Sequence, residues 1–399
     1  MAKPTFASRR CSRCYCAALL WVGGAWALVP PLHHNVKAGV VQQRCTSTRN
    51  RRASLSASAY AHEAAPDGLR DVVIEALVQH GAGGVTSVKD VSPGPGLHTR
   101  HFKYDTADGP FLCKVSERSS DDHFKAEMAS LQAIRSMNCL RAPEPLSCGA
   151  LPLGGSYLLM EYLPCIPFGQ SIPSVLQQLA EGLAQMHLTP PPALSGLYGF
   201  SVDGLLGGAN QDNAWDDDFA TFFLEQRLIP QYHRAAAKFS ANYGTSNQES
   251  SALMTLEEQV FEAARQALLP VKNVQPSLLH GDLWIGNCGA ILGGTDGTTR
   301  VPVVFDPACW YGHHEFDLAL GSLFGGFPPP FDDAYHALVP KADGFDERMR
   351  IYRLYHMLNH LNLHGAGFSS RGSTESPNGY FERAVKLVYD IVGLTMWSS

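Results

Sequence analysis

The chain has 399 residues, of which 45% are hydrophobic and 17% are charged, and its formal net charge at pH 7 is -6. This length and apolar content suffice for two sizeable cores, and the negative charge gives no basic surface of the kind that binds nucleic acid. Outside a short segment near the start, no stretch approaches the length that crosses a membrane. Composition therefore favours an enzyme that acts on small molecules or proteins, with no nucleic acid partner.

The first 62 residues differ in composition from the rest of the chain. They contain no Asp or Glu, nine Lys and Arg, an apolar segment over residues 17–29 and a Ser/Thr-rich tract over residues 46–58. A secretory signal followed by a transit peptide has this composition, which predicts a plastid leader that is disordered or cleaved. A mitochondrial transit peptide, or a signal peptide with a disordered spacer, would also fit. After removal of the leader we expect no stable membrane insertion.

Apolar spacing predicts the elements that follow in chain order. A helix begins around Asp67, a strand hairpin turns at Asp108-Gly109, a helix is capped near Asp121, and helices dominate from Ser174 onward. The clearest patterns are strands over residues 85–91, 99–104, 110–115 and 157–163 and helices over residues 219–228 and 351–363.

Three polar residues near the middle of the C-terminal half carry the strongest signal for chemistry. Asp282 follows His280-Gly281, Asn287 comes five positions later, and Asp306 ends an apolar strand-like run. Kinases use this order of a carboxylate base and two oxygen ligands for magnesium. We therefore predict phosphoryl transfer, with Asp282 as the catalytic base and Asn287 and Asp306 as the metal ligands.

Two charged residues in the β-rich region are candidates for binding the nucleotide. Lys114 lies in an otherwise apolar strand, where an ammonium needs an anionic partner, and Glu127 follows thirteen residues later beside the apolar stripe of a helix. The two side chains can pair, which would let Lys114 hold the phosphates of a bound nucleotide.

The loop and the link between the lobes complete the expected nucleotide site. Gly94 and Gly96 could let backbone N–H groups approach phosphate, although Pro93 and Pro95 remove donors there. The strand over residues 157–163 is the natural link between a small β-rich lobe and a larger helical one, and its end, Glu161 to Leu163, is the candidate for an adenine-binding hinge. A core strand would explain the same residues equally well. These patterns predict an α+β, bilobal, protein-kinase-like fold: a small β-rich N-lobe over residues 63–163 and a larger, mainly helical C-lobe over residues 164–399.

The residues resemble one family specifically, the fructosamine/ketosamine-3-kinases, which are related to aminoglycoside phosphotransferases and choline kinases. The family's catalytic, metal and C-terminal segments look like residues 279–287, 306–319 and 355–365. Also similar are Tyr198-Gly199-Phe200, Asn213-Ala214-Trp215, Phe219, Phe222, Glu225, Arg227 and Leu228. The likeness extends over most of the chain from Asp67.

The resemblance implies roles for further residues. The adenine-contacting hinge would be Met160, Glu161, Tyr162 and Leu163. Trp284 would stand beside the sugar, and His356, on a helix with Asn359 and His360, is a candidate for lining the cleft. His313, His314, Glu315 and Asp317 are expected to brace the metal-binding loop, with Asp317 at the start of a helix.

Three departures from the family pattern concern substrate preference and regulation. Ile285 replaces the common Ser of the catalytic loop, and His314 replaces a common Arg. The glycine-rich loop has no Cys between Gly94 and Leu97, so a redox-linked dimer is not expected from it.

The implied activity is an ATP- and Mg²⁺-dependent transfer of phosphate to the C3 hydroxyl of ketosamines on small molecules or glycated proteins, which leads to release of the amine. Ribulosamine or erythrulosamine adducts would be favoured in a plastid, and the enzyme would be a monomer or a homodimer. Two alternatives stay open: a kinase of the aminoglycoside or choline type, for which Asp216-Asp217-Asp218 is the conspicuous acidic run, and a non-catalytic nucleotide-binding module.

Overall fold

The structure is a computed structural model that describes residues 68–92, 99–117, 120–168, 173–191, 196–239, 248–273, 275–293, 299–366 and 379–394. It also gives the backbone of two strands within the first 62 residues, β1 (Leu19–Val22) and β2 (Ala25–Leu28), which pair as an antiparallel hairpin. Gly94 and Gly96 lie outside the described residues, so their assignment to the nucleotide site stays a prediction. The leader assignment also stays a prediction.

The N-lobe is built on a five-stranded antiparallel sheet with the order β3-β4-β5-β7-β6. Two helices flank it, α1 (Leu69–Gln79) and α2 (Asp122–Ser136). The strands are β3 (Val85–Asp90), β4 (Arg100–Thr106), β5 (Gly109–Ser116), β6 (Pro145–Ala150) and β7 (Ser156–Glu161). The strand predictions for this lobe are confirmed to within a few residues.

The two faces of this sheet have different partners because side chains alternate along each strand. Phe102, Tyr104 and Cys113 face α1 and form a small core with its apolar residues. Leu158 and Met160 face α2 and belong to the main hydrophobic cluster, which continues through the C-lobe. Lys114 therefore points to the side of the sheet that faces the C-lobe.

The start of α2 corrects one prediction. Asp121 precedes the helix but has helical backbone angles, and its carboxylate makes no capping hydrogen bond. It pairs instead with Lys125, one turn along the helix, at 2.9 Å. A local ion pair has replaced the expected cap.

The C-lobe is mainly helical, as expected. Its helices are α3 (Pro173–Leu188), α4 (Phe219–Phe223), α5 (Ile229–Phe239), α6 (Gln248–Thr255), α7 (Glu257–Leu268), α8 (Phe316–Leu323), α9 (Pro329–Leu338), α10 (Phe345–His364) and α11 (Tyr380–Ile391). The predicted helix over residues 219–228 consists of α4 and a π-helical turn, Leu224–Leu228, which continues into α5. Among the described residues, no helix has both the length and the apolar character needed to span a bilayer.

Short strands of the C-lobe hold the polar loops. They are β8 (Ile166–Pro167), β9 (Gly204–Leu206), β10 (Ala209–Gln211), β11 (Ser277–Leu279), β12 (Cys288–Gly293), β13 (Thr299–Val304) and β14 (Trp310–Gly312). β11 pairs with β14, and β12 pairs with β13 so that Cys288 lies opposite Val304. The segments that follow β11 and β13 are therefore held next to each other by these two strand pairs.

Candidate active site

Asp282 and Asn287 are joined directly in the loop between β11 and β12. The Nδ2 atom of Asn287 donates to Asp282 Oδ2 at 2.9 Å and to the Asp282 carbonyl at 2.8 Å. A short 3-10 turn, Ile285–Asn287, makes this return possible within five residues. The hydrogen bonds fix the orientation of the Asp282 carboxylate.

The environment of Asp282 favours its protonated form. Burial raises the pKa of this carboxyl group to about 8, against a hydrogen bond from Asn287 that lowers it, and the charges of Asp306 and Asp317 push the pKa up further. A carboxylate whose pKa lies near neutrality is well matched to accept a proton from a hydroxyl group. Asp306 is thus near enough for its charge to act on Asp282.

Lys114 links the N-lobe to that region. Its Nζ atom lies 2.5 Å from Glu127 Oε1 on α2 and also contacts Asp306 Oδ1. Burial alone would lower the pKa of Lys114, but the two carboxylates raise it above its ordinary value. The ammonium is therefore charged and sits where the two lobes meet.

The backbone of Asp306 is unusual. Its φ is 57°, a left-handed conformation that non-glycine residues seldom adopt and that occurs at functional sites. The Phe305 N–H donates to the Asn287 carbonyl at 3.1 Å, which ties this segment to the catalytic loop. Lys114 lowers the pKa of Asp306 although burial works in the opposite direction.

The donor atoms of Asn287 and Asp306 suit a hard divalent cation. The amide nitrogen of Asn287 donates to Asp282, so Oδ1 is the atom of this amide that can bind a cation. Asp306 uses Oδ1 on Lys114 and retains a second carboxylate oxygen. An amide oxygen and a carboxylate oxygen are the ligands that Mg²⁺ prefers.

Asp317 braces the catalytic loop, but in a different way from the expected one. Its two carboxylate oxygens accept hydrogen bonds from the backbone N–H groups of His280 at 2.6 Å and Gly281 at 2.8 Å. His187 on α3 contacts the same carboxylate at 3.2 Å and Tyr335 at 2.7 Å. The carboxylate therefore serves the loop rather than the N–H groups of its own helix.

The neighbouring His313, His314 and Glu315 form a polar cluster that precedes α8. Their ligand atoms lie within 4.8 Å of one another, as a metal site would require. Glu315, however, accepts two hydrogen bonds from Arg348 at 2.7 and 2.8 Å, and His313 pairs with the Tyr352 hydroxyl at 2.8 Å. These contacts with α10 give His313 and Glu315 a structural role, and the bracing role of His314 stays a prediction.

Gly281 allows the two polar segments to approach each other closely. The Ala308 N–H donates to the His280 carbonyl at 2.8 Å. Gly281 has φ +80°, and a Cβ atom built there would lie 2.0 Å from the Ala308 carbonyl oxygen. Only glycine fits this position without moving the segment that carries Asp306.

The expected hinge lies at the end of β7. Met160 is buried in the main cluster, and Glu161 pairs with Arg141. The Tyr162 N–H donates to the Pro110 carbonyl at 3.2 Å, and the Leu163 carbonyl accepts from Cys165 at 2.8 Å. These contacts tie the segment to β5 and to Arg141, and its contact with adenine stays a prediction.

The two expected substrate residues have different surroundings. Trp284 is half-buried beside the catalytic loop, with its ring 6.0 Å from that of Phe324. His356 is 1% exposed and packs 4.6 Å from the Phe316 ring. His356 is thus more deeply buried than Trp284, and the contact of either residue with substrate stays a prediction.

Sequence reasoning missed the role of His187 and gave none to Arg227. His187 lies on α3, 130 positions from Asp317, and no local spacing connects them. Arg227 is 1% exposed between the rings of Phe222 and Trp310 and donates to Asn213. The aromatic residues near Arg227 in the sequence, Phe219, Phe222 and Phe223, do not by themselves show that it is buried.

Comparisons with known proteins agree with this arrangement. A model of the fructosamine kinase family matches residues 74–375. The chain is 34% identical over 281 residues to a protein-ribulosamine 3-kinase, chloroplastic, of Arabidopsis thaliana, covering 70% of this chain and 78% of the relative. It is 32% identical over 315 residues to a ketosamine-3-kinase of Mus musculus, covering 73% and 94%.

Solved structures confirm the bilobal, protein-kinase-like α+β fold. A protein of Haemophilus somnus assigned as a fructosamine-3-kinase aligns with a TM-score of 0.64 and 27% identity over 81% of this chain and 98% of that one. An aminoglycoside phosphotransferase aligns with a TM-score of 0.50 and 16% identity over 81% and 98%, a likeness in fold alone. Since the family match spans more than half of the residues, the chain belongs to the fructosamine kinase family.

Proposed function

We propose that the chain is an ATP-dependent ketosamine 3-kinase, which phosphorylates the C3 hydroxyl of a ketosugar attached to an amine. Membership of a kinase family makes it a phosphotransferase that acts on a hydroxyl group. One observation supports the proposed site most strongly. Asp282 accepts a hydrogen bond from Asn287, and the charge of Asp306 acts on it. Asp306 in turn forms an ion pair with Lys114 of the other lobe.

Each of these residues has a separate task in the proposed reaction. Asp282 accepts the proton of the C3 hydroxyl as its oxygen attacks the terminal phosphate, and Asn287 holds the carboxylate in place. Lys114 donates to the phosphates once a nucleotide competes with its carboxylate partners. Mg²⁺, held by Asn287 and Asp306, would neutralise charge on the phosphates.

The product explains why phosphorylation would release the amine. The reaction places phosphate on the carbon next to the ketone. Enolisation towards C1 lets inorganic phosphate leave from C3, and water then displaces the amine from the resulting conjugated iminium. No further catalytic group of this chain is required.

The names of two relatives favour the substrate class. The Arabidopsis relative is named for ribulosamine on proteins and the mouse relative for ketosamines. The acid-free leader of this chain and the chloroplastic name of the plant relative favour a plastid, where ribulosamine and erythrulosamine adducts would form. We propose glycated proteins and small ketosamines as substrates of a monomer or homodimer.

A substrate panel tests the proposal. The purified chain is assayed with ATP and Mg²⁺ on ribulosamine, erythrulosamine, psicosamine and fructosamine derivatives of lysine, and on choline and kanamycin. We expect turnover on ketosamines, with Asp282→Asn reducing kcat by about 100-fold or more while nucleotide still binds. Asp333→Asn, an exposed change on α9, is the matched control and should retain activity.

The two alternatives give different results in the same experiment. Preferred turnover of choline or kanamycin would assign the chain to the other kinase type. Absence of turnover on every acceptor, together with a thermal shift by ATP that needs no Mg²⁺, would indicate a non-catalytic module.

A further inference from the structure

Two histidines lie near Lys114 in the N-lobe, and neither has a role in the reaction described above. His101 is on β4 directly opposite Lys114 on β5. In an antiparallel pair, residues directly opposite each other project from the same face with Cβ atoms about 5 Å apart. The residues next to them in sequence, Phe102 and Cys113, face α1. His101 therefore projects with Lys114 towards the C-lobe.

His123 lies on α2, near enough to Lys114 for that charge to act on it. It lies on α2 one turn before Glu127, and residues four apart share a helix face. Its Nδ1 atom is buried and has no hydrogen-bond partner among the described residues. Burial and the nearby Lys114 charge lower the pKa of His123 to about 4, although a backbone contact with Ser120 acts in the opposite direction.

Both rings are neutral near physiological pH. The pKa of His101 is also lowered to about 4, first by burial and then by the Lys114 charge, against Asp306 and Asp90. A neutral imidazole carries one N–H donor, and a buried donor needs an acceptor. Phosphate oxygens are the acceptors that Lys114 itself would attract to this face.

We propose that His101 and His123 bind the phosphate groups of the nucleotide as two hydrogen-bond donors beside Lys114. This inference rests on the proposed function, since it assumes that Lys114 meets the phosphates. It extends the nucleotide site by one residue from β4 and one from α2. Neutral histidines add donors beside Lys114 without adding positive charge that would have to be buried when no nucleotide is bound.

Nucleotide binding without acceptor tests this proposal. We measure the Kd of a non-hydrolysable ATP analogue and of adenosine for His101→Phe and His123→Phe, which keep a ring but remove the donor. Each change should weaken the analogue about three- to tenfold, as expected for a lost hydrogen bond, and leave adenosine unchanged. His123→Asn, whose amide nitrogen replaces Nδ1, should recover most of the loss. His80→Phe, exposed at the end of α1, is the matched control.

A second measurement uses the unaltered protein and does not depend on how the variants fold. Inorganic tripolyphosphate is titrated while the ring ¹⁵N signals of the histidines are followed by NMR, and the rings of residues 101 and 123 should shift while that of His80 does not. The proposal fails if neither ring responds, if the Phe variants bind the analogue with unaltered Kd, or if adenosine is weakened equally. None of these results depends on ketosamine turnover, so they leave the proposed reaction to its own test.

Discussion

Replacing Gly281 by Ala would force the catalytic loop away from the segment that carries Asp306. The left-handed backbone costs Ala about 1–2 kcal/mol. The new Cβ would also meet the Ala308 carbonyl oxygen at 2.0 Å, so the segment must retreat by more than about 1 Å to reach ordinary contact. That retreat would break the 2.8 Å hydrogen bond from Ala308 to His280, which adds about 0.5–1.5 kcal/mol. The expected loss of unfolding free energy is about 1.5–3.5 kcal/mol.

Gly81→Ala is the matched control, because Gly81 has φ +73° and no atom within 4 Å of a built Cβ. It should lose only the backbone contribution and keep full activity. Gly281→Ala should also lower kcat by about 100-fold, since a displacement of about 1 Å at reacting groups has that effect. Urea unfolding and ketosamine turnover of both variants are the assays. Equal losses of stability, or full activity of Gly281→Ala, would refute the role assigned to this close approach.

Three further predictions concern the carboxylates of the site. Asp317→Asn loses an acceptor for one backbone N–H of the loop and should reduce the free energy of unfolding, measured in urea, by about 2 kcal/mol. A reduction below about 0.5 kcal/mol would contradict the bracing role of Asp317. In the folded protein the pKa of Asp282 is raised from 3.8 to about 8, so the contribution of this group to stability falls as pH rises between those values. Asp282→Asn should therefore raise Tm relative to wild type at pH 8.5 and not at pH 4; equal shifts at both would contradict it. Asp306→Asn should weaken Mg·ADP binding by at least about tenfold in calorimetry and affect metal-free ADP less, and equal losses would count against metal ligation.

Much of the N-lobe could be predicted from the sequence because its signals are local. Alternating apolar residues flank Asp108-Gly109, and Gly109 has the positive φ that the turn requires. The position of Lys114 in an apolar strand and of Glu127 beside an apolar stripe predicted an ion pair that the structure contains. The spacing of apolar residues and the residues of the turn were sufficient to predict these features.

The supports of the site could not be predicted because they depend on distant residues. Asp317 accepts a hydrogen bond from His280, which is 37 positions away in the sequence, and contacts His187, which is 130 positions away. Nor could the spacing within α10 show which polar side chains face the cleft, since most of this helix is buried and its apolar residues surround His356. Such contacts follow from packing rather than from sequence period.

The same limit applies to His101. Its neighbour Lys114 was recognised from its own strand, but their juxtaposition depends on the register between β4 and β5. A shift of one residue would have turned His101 towards α1.

The position of the transferred phosphate tests the proposed function most directly. Ribulosamine attached to lysine is incubated with ATP, Mg²⁺ and the enzyme, and the product is analysed by two-dimensional ¹H–³¹P NMR before it decomposes. We expect a correlation between phosphorus and the proton on C3, one ADP formed per phosphorylated sugar, and product formed about 100-fold or more slowly with Asp282→Asn. Phosphate on another hydroxyl, or ADP formed without any phosphorylated sugar, would contradict it.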